Sequence, residues 1–238
     1  MELALRLPDG SQQHMAMLNT PTFVAADPIT FSEMIRAVKP DPSTGQPDEG
    51  RLRNFLASHP DAFAASNFLT AMATADNYAN STYFSIHTFR FIDASGRTHF
   101  VRWRFIPRDR EGATTPSQIL RSPEGVTKED FIARRARGPL QWDMIVYVGE
   151  PGDTADNATI AWPELRKHFN AGRLTIIQGV SGGKPACEEI HFDPLIVADG
   201  IAPTDDPILL FRSPTYASAF VGHLSQALGW PRAAAVDR

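Results

Sequence analysis

The chain has 238 residues, 42% of them hydrophobic and 21% charged, with a net charge of −4 and a pI near 6.0. That is the composition of a globular protein with one domain, or one large domain with appendages. No basic cluster points to a nucleic-acid partner, and no apolar run of about 18 residues offers a membrane-spanning helix. Cys187 is the only cysteine, so no internal disulfide can form, which fits a reducing compartment without requiring one.

Residues 2–7 and 12–18 alternate about Pro8-Asp9-Gly10, the turn chemistry of a β-hairpin, with Leu3, Leu5 and Leu7 on one side. Met1 leads straight into this alternation, with no signal-peptide pattern, leading coil or helix cap before it. After Asp27-Pro28 the period becomes helical. Thr30-x-x-Glu33 reads as a capping box, Phe31, Met34, Ile35 and Val38 form an apolar stripe, and Pro40 closes it. Residues 40–49, rich in Pro, Asp, Ser and Gly, read as a loop. Leu52, Phe55 and Leu56 mark a short amphipathic helix that stops at His59-Pro60, and a second follows over residues 61–73.

The clearest strand pair runs from Tyr83 to Ile92 and from Thr98 to Ile106, joined by Asp93-Ala-Ser-Gly96. Alternation puts Phe84, Ile86, Thr88, Arg90 and Ile92 on one side and Tyr83, Ser85, His87, Phe89 and Phe91 on the other. Thr127-x-x-Asp130 opens a short basic helix ending at Gly138, and Leu140–Val148 is a strand showing Trp142, Met144, Val146 and Val148 on one face. Residues 150–170 read as an irregular wrapping segment with one short helix. Leu174–Gln178 is a further strand, and Ile190-His-Phe-Asp-Pro194 ends a third. Strands with hairpin turns come first and helices gather later, so the pattern predicts an α+β fold with an antiparallel β-barrel and appended C-terminal helices.

The last element starts with Asp206 as N-cap and Pro207 at the first helical position, with Leu209, Leu210, Phe220 and Val221 as its apolar face. Arg212 and Tyr216 stand four residues apart, so a helix places guanidinium and phenol on one face. A neighbouring cation favours the phenolate. Keeping a phenol ionised near pH 7 needs roughly 4 kcal/mol of differential stabilisation, which ferric iron and an arginine together can supply. Some haem enzymes use tyrosinate as the axial ligand. Arg-x-x-x-Tyr is therefore a haem-ligand signature with a mechanism, although the same spacing occurs by chance on many surface helices. Pro214 lies between the two residues; it either kinks this helix or forces it to restart with Ser213 as cap.

Three motifs in fixed order resemble the catalase superfamily, specifically the smaller catalase-related peroxidases. They are Leu18-Asn-Thr-Pro-Thr-Phe-Val-Ala-Ala-Asp-Pro28, Tyr83-Phe-Ser-Ile-His-Thr-Phe-Arg-Phe-Ile-Asp-Ala-Ser-Gly96 and Gly200-Ile-Ala-Pro-Thr-Asp-Asp-Pro-Ile-Leu-Leu-Phe-Arg-Ser-Pro-Thr-Tyr216. The resemblance covers nearly the whole chain, from residue 1 to about residue 223. It implies a catalase-like barrel in a single domain and an oxidoreductase that uses haem (heme) iron on hydrogen peroxide with a small-molecule electron donor. A homo-oligomer stays open, as does the choice between cytoplasm and periplasm.

The resemblance also assigns roles residue by residue. Tyr216 would be the axial ligand to iron, with Arg212 beside its oxygen, His87 bonded to that arginine, and Asp206 as the orienting carboxylate. A packed core tyrosine, a histidine satisfied by backbone and a simple helix cap are the ordinary alternatives. Phe31 and Phe192 would stack on the distal and proximal faces of the macrocycle, unless both are plain core. His223, where the family has an arginine, would face a propionate. The distal histidine of the family would precede Met1, so the resemblance implies a chain lacking its distal haem segment, and neither His14 nor His59 lies in a replacement motif. Leu18 stands where large catalases carry a distal asparagine. An impaired peroxidase, a non-catalytic haem-binding fragment and an enzyme acting on lipid hydroperoxides are the three readings that follow.

Overall fold

A computed structural model describes residues 1–71, 74–75, 78–108, 113–114, 128–179 and 190–216. The chain opens on the expected hairpin, β1 (Glu2–Arg6) against β2 (Gln12–Ala16). Gly10 has φ +87°, a left-handed turn position that favours glycine. Leu3, Leu5 and Leu7 are half-buried while Glu2, Ala4 and Arg6 are exposed, so the alternation reports a real inner face.

Helix α1 (Pro28–Val38) begins earlier than the Thr30-x-x-Glu33 box suggests. Asp27 is the cap: its carboxylate accepts from the Ile29 and Thr30 amides at 2.8 and 2.9 Å and from the Thr30 hydroxyl at 2.7 Å. An Asp-Pro pair supplies both the acceptor and the pre-set φ of the first helical residue, which outcompetes a threonine three residues on. Of the predicted stripe, Phe31 and Met34 are half-buried while Ile35 and Val38 are exposed. Helices α2 (Glu49–Ser58) and α3 (Pro60–Ala71) follow, and Ala37, Phe55 and Ala62 form a small satellite core between the three helices.

The main sheet has six antiparallel strands. Its order is β10 (Ile201–Pro203), β5 (Phe89–Ile92), β6 (Thr98–Pro107), β8 (Leu140–Val148) and β9 (His168–Ile176), with β4 (Tyr83–Phe84) also on β6. A separate two-stranded ladder joins β3 (Thr74–Ala75) to β7 (Ala113–Thr114). Trp142 and Val146 from β8, Phe89, Val101, Trp103 and Phe105 from β5 and β6, and Met15 and Met17 from the hairpin share one core with Leu209. That core is why the hairpin lies against the sheet.

Four expectations need correction. The strand Tyr83–Ile92 is two strands, because Ser85–Thr88 leave the ladder around Ile86, whose φ is +54°. Residues 150–167 hold no helix, and β9 starts at His168 rather than Leu174. Residues 190–194 are not a strand: Asp193 closes a turn by accepting the Leu195 amide at 2.9 Å. Strand β10 gave no periodic signal, being three residues long. Helix α4 (Lys128–Ala136) is present, while its proposed cap Thr127, with Cys187, Phe220, Val221 and His223, lies outside the described residues.

Candidate functional site

Helix α5 spans residues 207–216 in the described region. Asp206 caps it, with Oδ1 accepting the amides of Ile208 at 2.9 Å and Leu209 at 3.2 Å. Pro214 does not end the helix, so Arg212 and Tyr216 lie on one continuous helical surface. Its inward stripe is Ile208, Phe211, Arg212 and Thr215, the spacing of one helix face. Leu209 is fully buried in the main core, whereas Leu210, assigned to the apolar face from the sequence, is exposed.

That stripe forms one wall of a cavity of about 290 Å³. Leu18, Phe23 and Phe31 supply another, and Ile86 and His87 from the interrupted β4–β5 connection a third. The interruption is what brings adjacent residues 86 and 87 to the same space, since an unbroken strand would send them to opposite faces. A tight turn about Ile86 does it, with the His87 amide donating to the Ser85 carbonyl at 2.6 Å. The Ser85 hydroxyl donates to the His87 carbonyl at 3.0 Å and accepts the Trp103 amide at 3.2 Å, replacing the lost ladder bonds. A β-branched residue in this backbone region costs on the order of 1–3 kcal/mol. Such strain is most often retained where it places a functional group.

His87 and Asp206 are each 1% exposed and meet at 2.8 Å, Nδ1 to Oδ2, across 119 positions of sequence. Burial pushes the imidazole below its ordinary pKa, against the raising pull of Asp206, and Arg212 and Arg102 push it down further. The ring is therefore neutral, with Nδ1–H donated to the carboxylate. The carboxylate charge rests on that donor and on the two amides at the positive end of α5. His87 Nε2 is buried with no hydrogen-bond partner among the described residues.

Arg212 Nη2 donates to the Tyr216 hydroxyl at 2.7 Å, and Nη1 reaches the Ala16 carbonyl at 3.4 Å. The predicted Tyr216–Arg212–His87–Asp206 chain thus has both end links, while the Arg212–His87 link is not a hydrogen bond; the two side chains line the same cavity. Phe31 lies in the cavity wall, 4.9 Å centroid to centroid from Phe23. Phe192 does not line it, and packs instead on His14 at 6.0 Å. Phe23, Ile86, Phe211 and Thr215 are wall residues that sequence reasoning missed. Phe211 and Thr215 were recoverable from their spacing with Ile208 and Arg212, whereas Ile86 left no periodic trace.

A family model described as Catalase matches residues 9–227. The chain belongs to the catalase family. Among curated relatives it is 40% identical to a catalase-related peroxidase of Synechococcus elongatus, over 92% of this chain and 64% of that protein. It is 29% identical to one of Mycolicibacterium paratuberculosis, over 92% of this chain and 69% of that protein. Among solved structures, a bacterial catalase superposes with a TM-score of 0.78 at 20% identity, covering 92% of this chain and 45% of that one. Catalase A from Saccharomyces cerevisiae does so with 0.78 at 19%, covering 92% and 48%. The chain spans 64% of the length of the first of these relatives and under half of each of these two solved structures, and the α+β catalase-like fold is the one its own sequence predicts.

Proposed function

We propose that this chain forms the tyrosine-bearing side of a haem pocket in a peroxidase that acts on hydrogen peroxide with a small-molecule electron donor. The observation that carries the reading is the 2.7 Å bond from Arg212 to the Tyr216 hydroxyl at the wall of an otherwise mostly apolar cavity. Family membership and the catalase-related relatives support the same class.

The residues present fit haem. A phenol oxygen with a guanidinium donor suits an anionic oxygen ligand to ferric iron. Leu18, Phe23, Phe31, Ile86, Ile208 and Phe211 offer apolar and aromatic surface to a flat macrocycle. Bound haem would supply ferric iron as the redox centre for peroxide. Tyr216 would hold it, Arg212 would keep the phenolate charge matched, and the His87–Asp206 pair would present an unprotonated Nε2 to the same space. Among the described residues lining the cavity, His87 is the one imidazole, and its Nδ1 is bonded to Asp206. Proton transfer between peroxide oxygens is a general acid–base step worth about 10²–10⁴-fold, and among those residues only His87 Nε2 is an imidazole nitrogen left to serve it.

Reconstitution with ferric haem tests the reading. A tyrosinate-ligated spectrum is expected for the wild type and its loss for Tyr216→Phe; a wild-type spectrum that survives Tyr216→Phe sinks the assignment. Peroxide consumption with and without a phenolic donor then separates an enzyme from a haem-binding fragment. A second reading, an enzyme acting on lipid hydroperoxides, is favoured by one observation: Leu18 also borders a neighbouring cavity of about 510 Å³ walled by Leu3, Met17, Phe131, Trp142, Leu174 and Ile176. Faster consumption of a lipid hydroperoxide than of hydrogen peroxide would select it.

A further inference from the structure

The turn at Asp193 joins strand β2 to helix α5. On the β2 side the His14 amide donates to the Ile196 carbonyl at 2.8 Å, and the Ala198 amide donates to Oε1 of the buried Gln13 at 2.8 Å. Asp193 braces the turn from within. Its carbonyl accepts the Ile196 amide at 3.1 Å and its Oδ1 the Leu195 amide at 2.9 Å. Its other carboxylate oxygen, Oδ2, accepts the Ser213 hydroxyl of α5 at 2.5 Å. A hydroxyl bonded to an ionised oxygen makes one of the shorter and stronger hydrogen bonds in proteins.

Helix α5 is weakest where that bond meets it. Pro214 has no amide to give the Leu210 carbonyl, so one rung of the helix ladder is missing between Arg212 and Tyr216. A helical serine or threonine commonly turns its hydroxyl back on a carbonyl one turn earlier, as Thr215 does on Phe211 at 2.9 Å. Ser213 instead directs its only donor to Asp193, 20 positions back along the chain. The neighbouring Arg212 reaches the Ala16 carbonyl of β2 at 3.4 Å, a long contact for an N–H donor. Of these two ties from α5 to the β2 side of the molecule, the serine bond is much the shorter.

We propose that Asp193, acting through Ser213, is a positioning residue for the Arg212–Tyr216 pair, fixing the rotation of α5 so that guanidinium and phenol stay aimed at the cavity. The assignment rests on the reading of Tyr216 as the haem ligand. Arg212 and Tyr216 both lie within one turn of Ser213, so a helix released at Ser213 moves the two together. Neither Asp193 nor Ser213 lines the cavity. Their influence on a bound group therefore passes through the helix and not through contact.

Ferric haem titrations of the wild type, Ser213→Ala, Ser213→Thr, Asp193→Ala and the double variant Asp193→Ala/Ser213→Ala decide it, with the bound spectrum and a denaturation curve recorded for each. Alanine is the better helix former at position 213. Ser213→Ala is therefore expected to keep the wild-type denaturation midpoint while binding haem about tenfold more weakly, with a smaller share of the tyrosinate-ligated spectrum. Ser213→Thr keeps the hydroxyl and is expected to match the wild type. The double variant is expected to bind no more weakly than Asp193→Ala alone, because the two side chains form one link. Wild-type affinity and spectrum in Ser213→Ala, a Ser213→Thr variant as weak as Ser213→Ala, losses that add in the double variant, or an affinity that falls only in step with stability would each overturn the assignment. Tyr216→Phe separates the two levels. A spectrum unchanged in Tyr216→Phe removes the haem-ligand reading and this assignment with it, whereas a spectrum lost in Tyr216→Phe but intact in Ser213→Ala removes this assignment alone.

Discussion

Arg212 Nη2 donates to the Tyr216 hydroxyl at 2.7 Å, across one turn of a helix that carries Pro214 between them. Proline removes one backbone donor, yet the turn persists, and the Thr215 hydroxyl donates to the Phe211 carbonyl at 2.9 Å. A hydrogen bond to a charged group is worth about 1.5–3 kcal/mol. Arg212→Leu is therefore expected to weaken ferric haem binding by about 10- to 100-fold. Arg212→Lys should fall between, because an ammonium lacks the planar fork. A haem titration of the three proteins measures this, and equal affinities would remove Arg212 from the site.

Asp206 does two jobs with two oxygens, capping α5 through Oδ1 and holding His87 through Oδ2. Asp206→Ala loses a cap worth about 0.5–2 kcal/mol and strands a buried imidazole donor at about 1–3 kcal/mol. Chemical denaturation should show a loss of about 1.5–5 kcal/mol, being the two together. Asp206→Asn, which keeps one acceptor oxygen for the cap but sets an NH2 against His87 Nδ1, should lose less than alanine by about the 0.5–2 kcal/mol of the cap. A result in which alanine and asparagine are equally mild would mean that neither bond is significant in the folded chain.

His87 imposes a pH dependence on stability. Burial lowers its folded pKa below the ordinary value of 6.5, so the unfolded chain binds the proton more readily. Stability must then be intact above about pH 6.5 and fall as pH drops below it, through the folded value. The thermal midpoint should decrease between neutral and mildly acidic buffer, and His87→Gln should flatten that decrease. A wild-type midpoint that rises on acidification would contradict the sign.

Arg102 ties the sheet to the segment that wraps it. Its guanidinium is buried, with Nε donating to the Thr88 hydroxyl at 2.9 Å, Nη1 to the Ile160 carbonyl at 2.8 Å, and the plane 4.9 Å from the Trp162 ring. Desolvation leaves its pKa pushed down to about 10, against the raising influence of Asp206 and Asp153. Arg102→Met keeps the apolar stem but leaves those acceptors without a donor, and a loss of about 3 kcal/mol is expected. Because Thr88 follows His87, the variant should also weaken haem binding; a stable variant with wild-type affinity would show the tie to be dispensable.

Short-range chemistry was legible from the residues alone. Pro8-Asp9-Gly10 marked the first hairpin, Asp206-Pro207 the start of α5, and the spacing of Arg212 and Tyr216 their meeting, because each depends on contacts within a few positions of chain. The motif order pointed to the family for the same reason, since it is written in local segments. Cap choice at α1 was misread only because two acceptors compete within three residues, and the asparto-proline pair wins.

What the tertiary structure alone decided is everything that joins distant segments. Period-two alternation predicted one strand through Ile86, and only cross-strand packing with Trp103 and the Ser85 hydroxyl bonds turn the chain there and deliver His87 to the cavity. The His87–Asp206 contact spans 119 positions, and Phe192 lies on His14 rather than the cavity wall. No local signal encodes such pairings, because they are set by how a sheet, a hairpin and a helix share one buried volume.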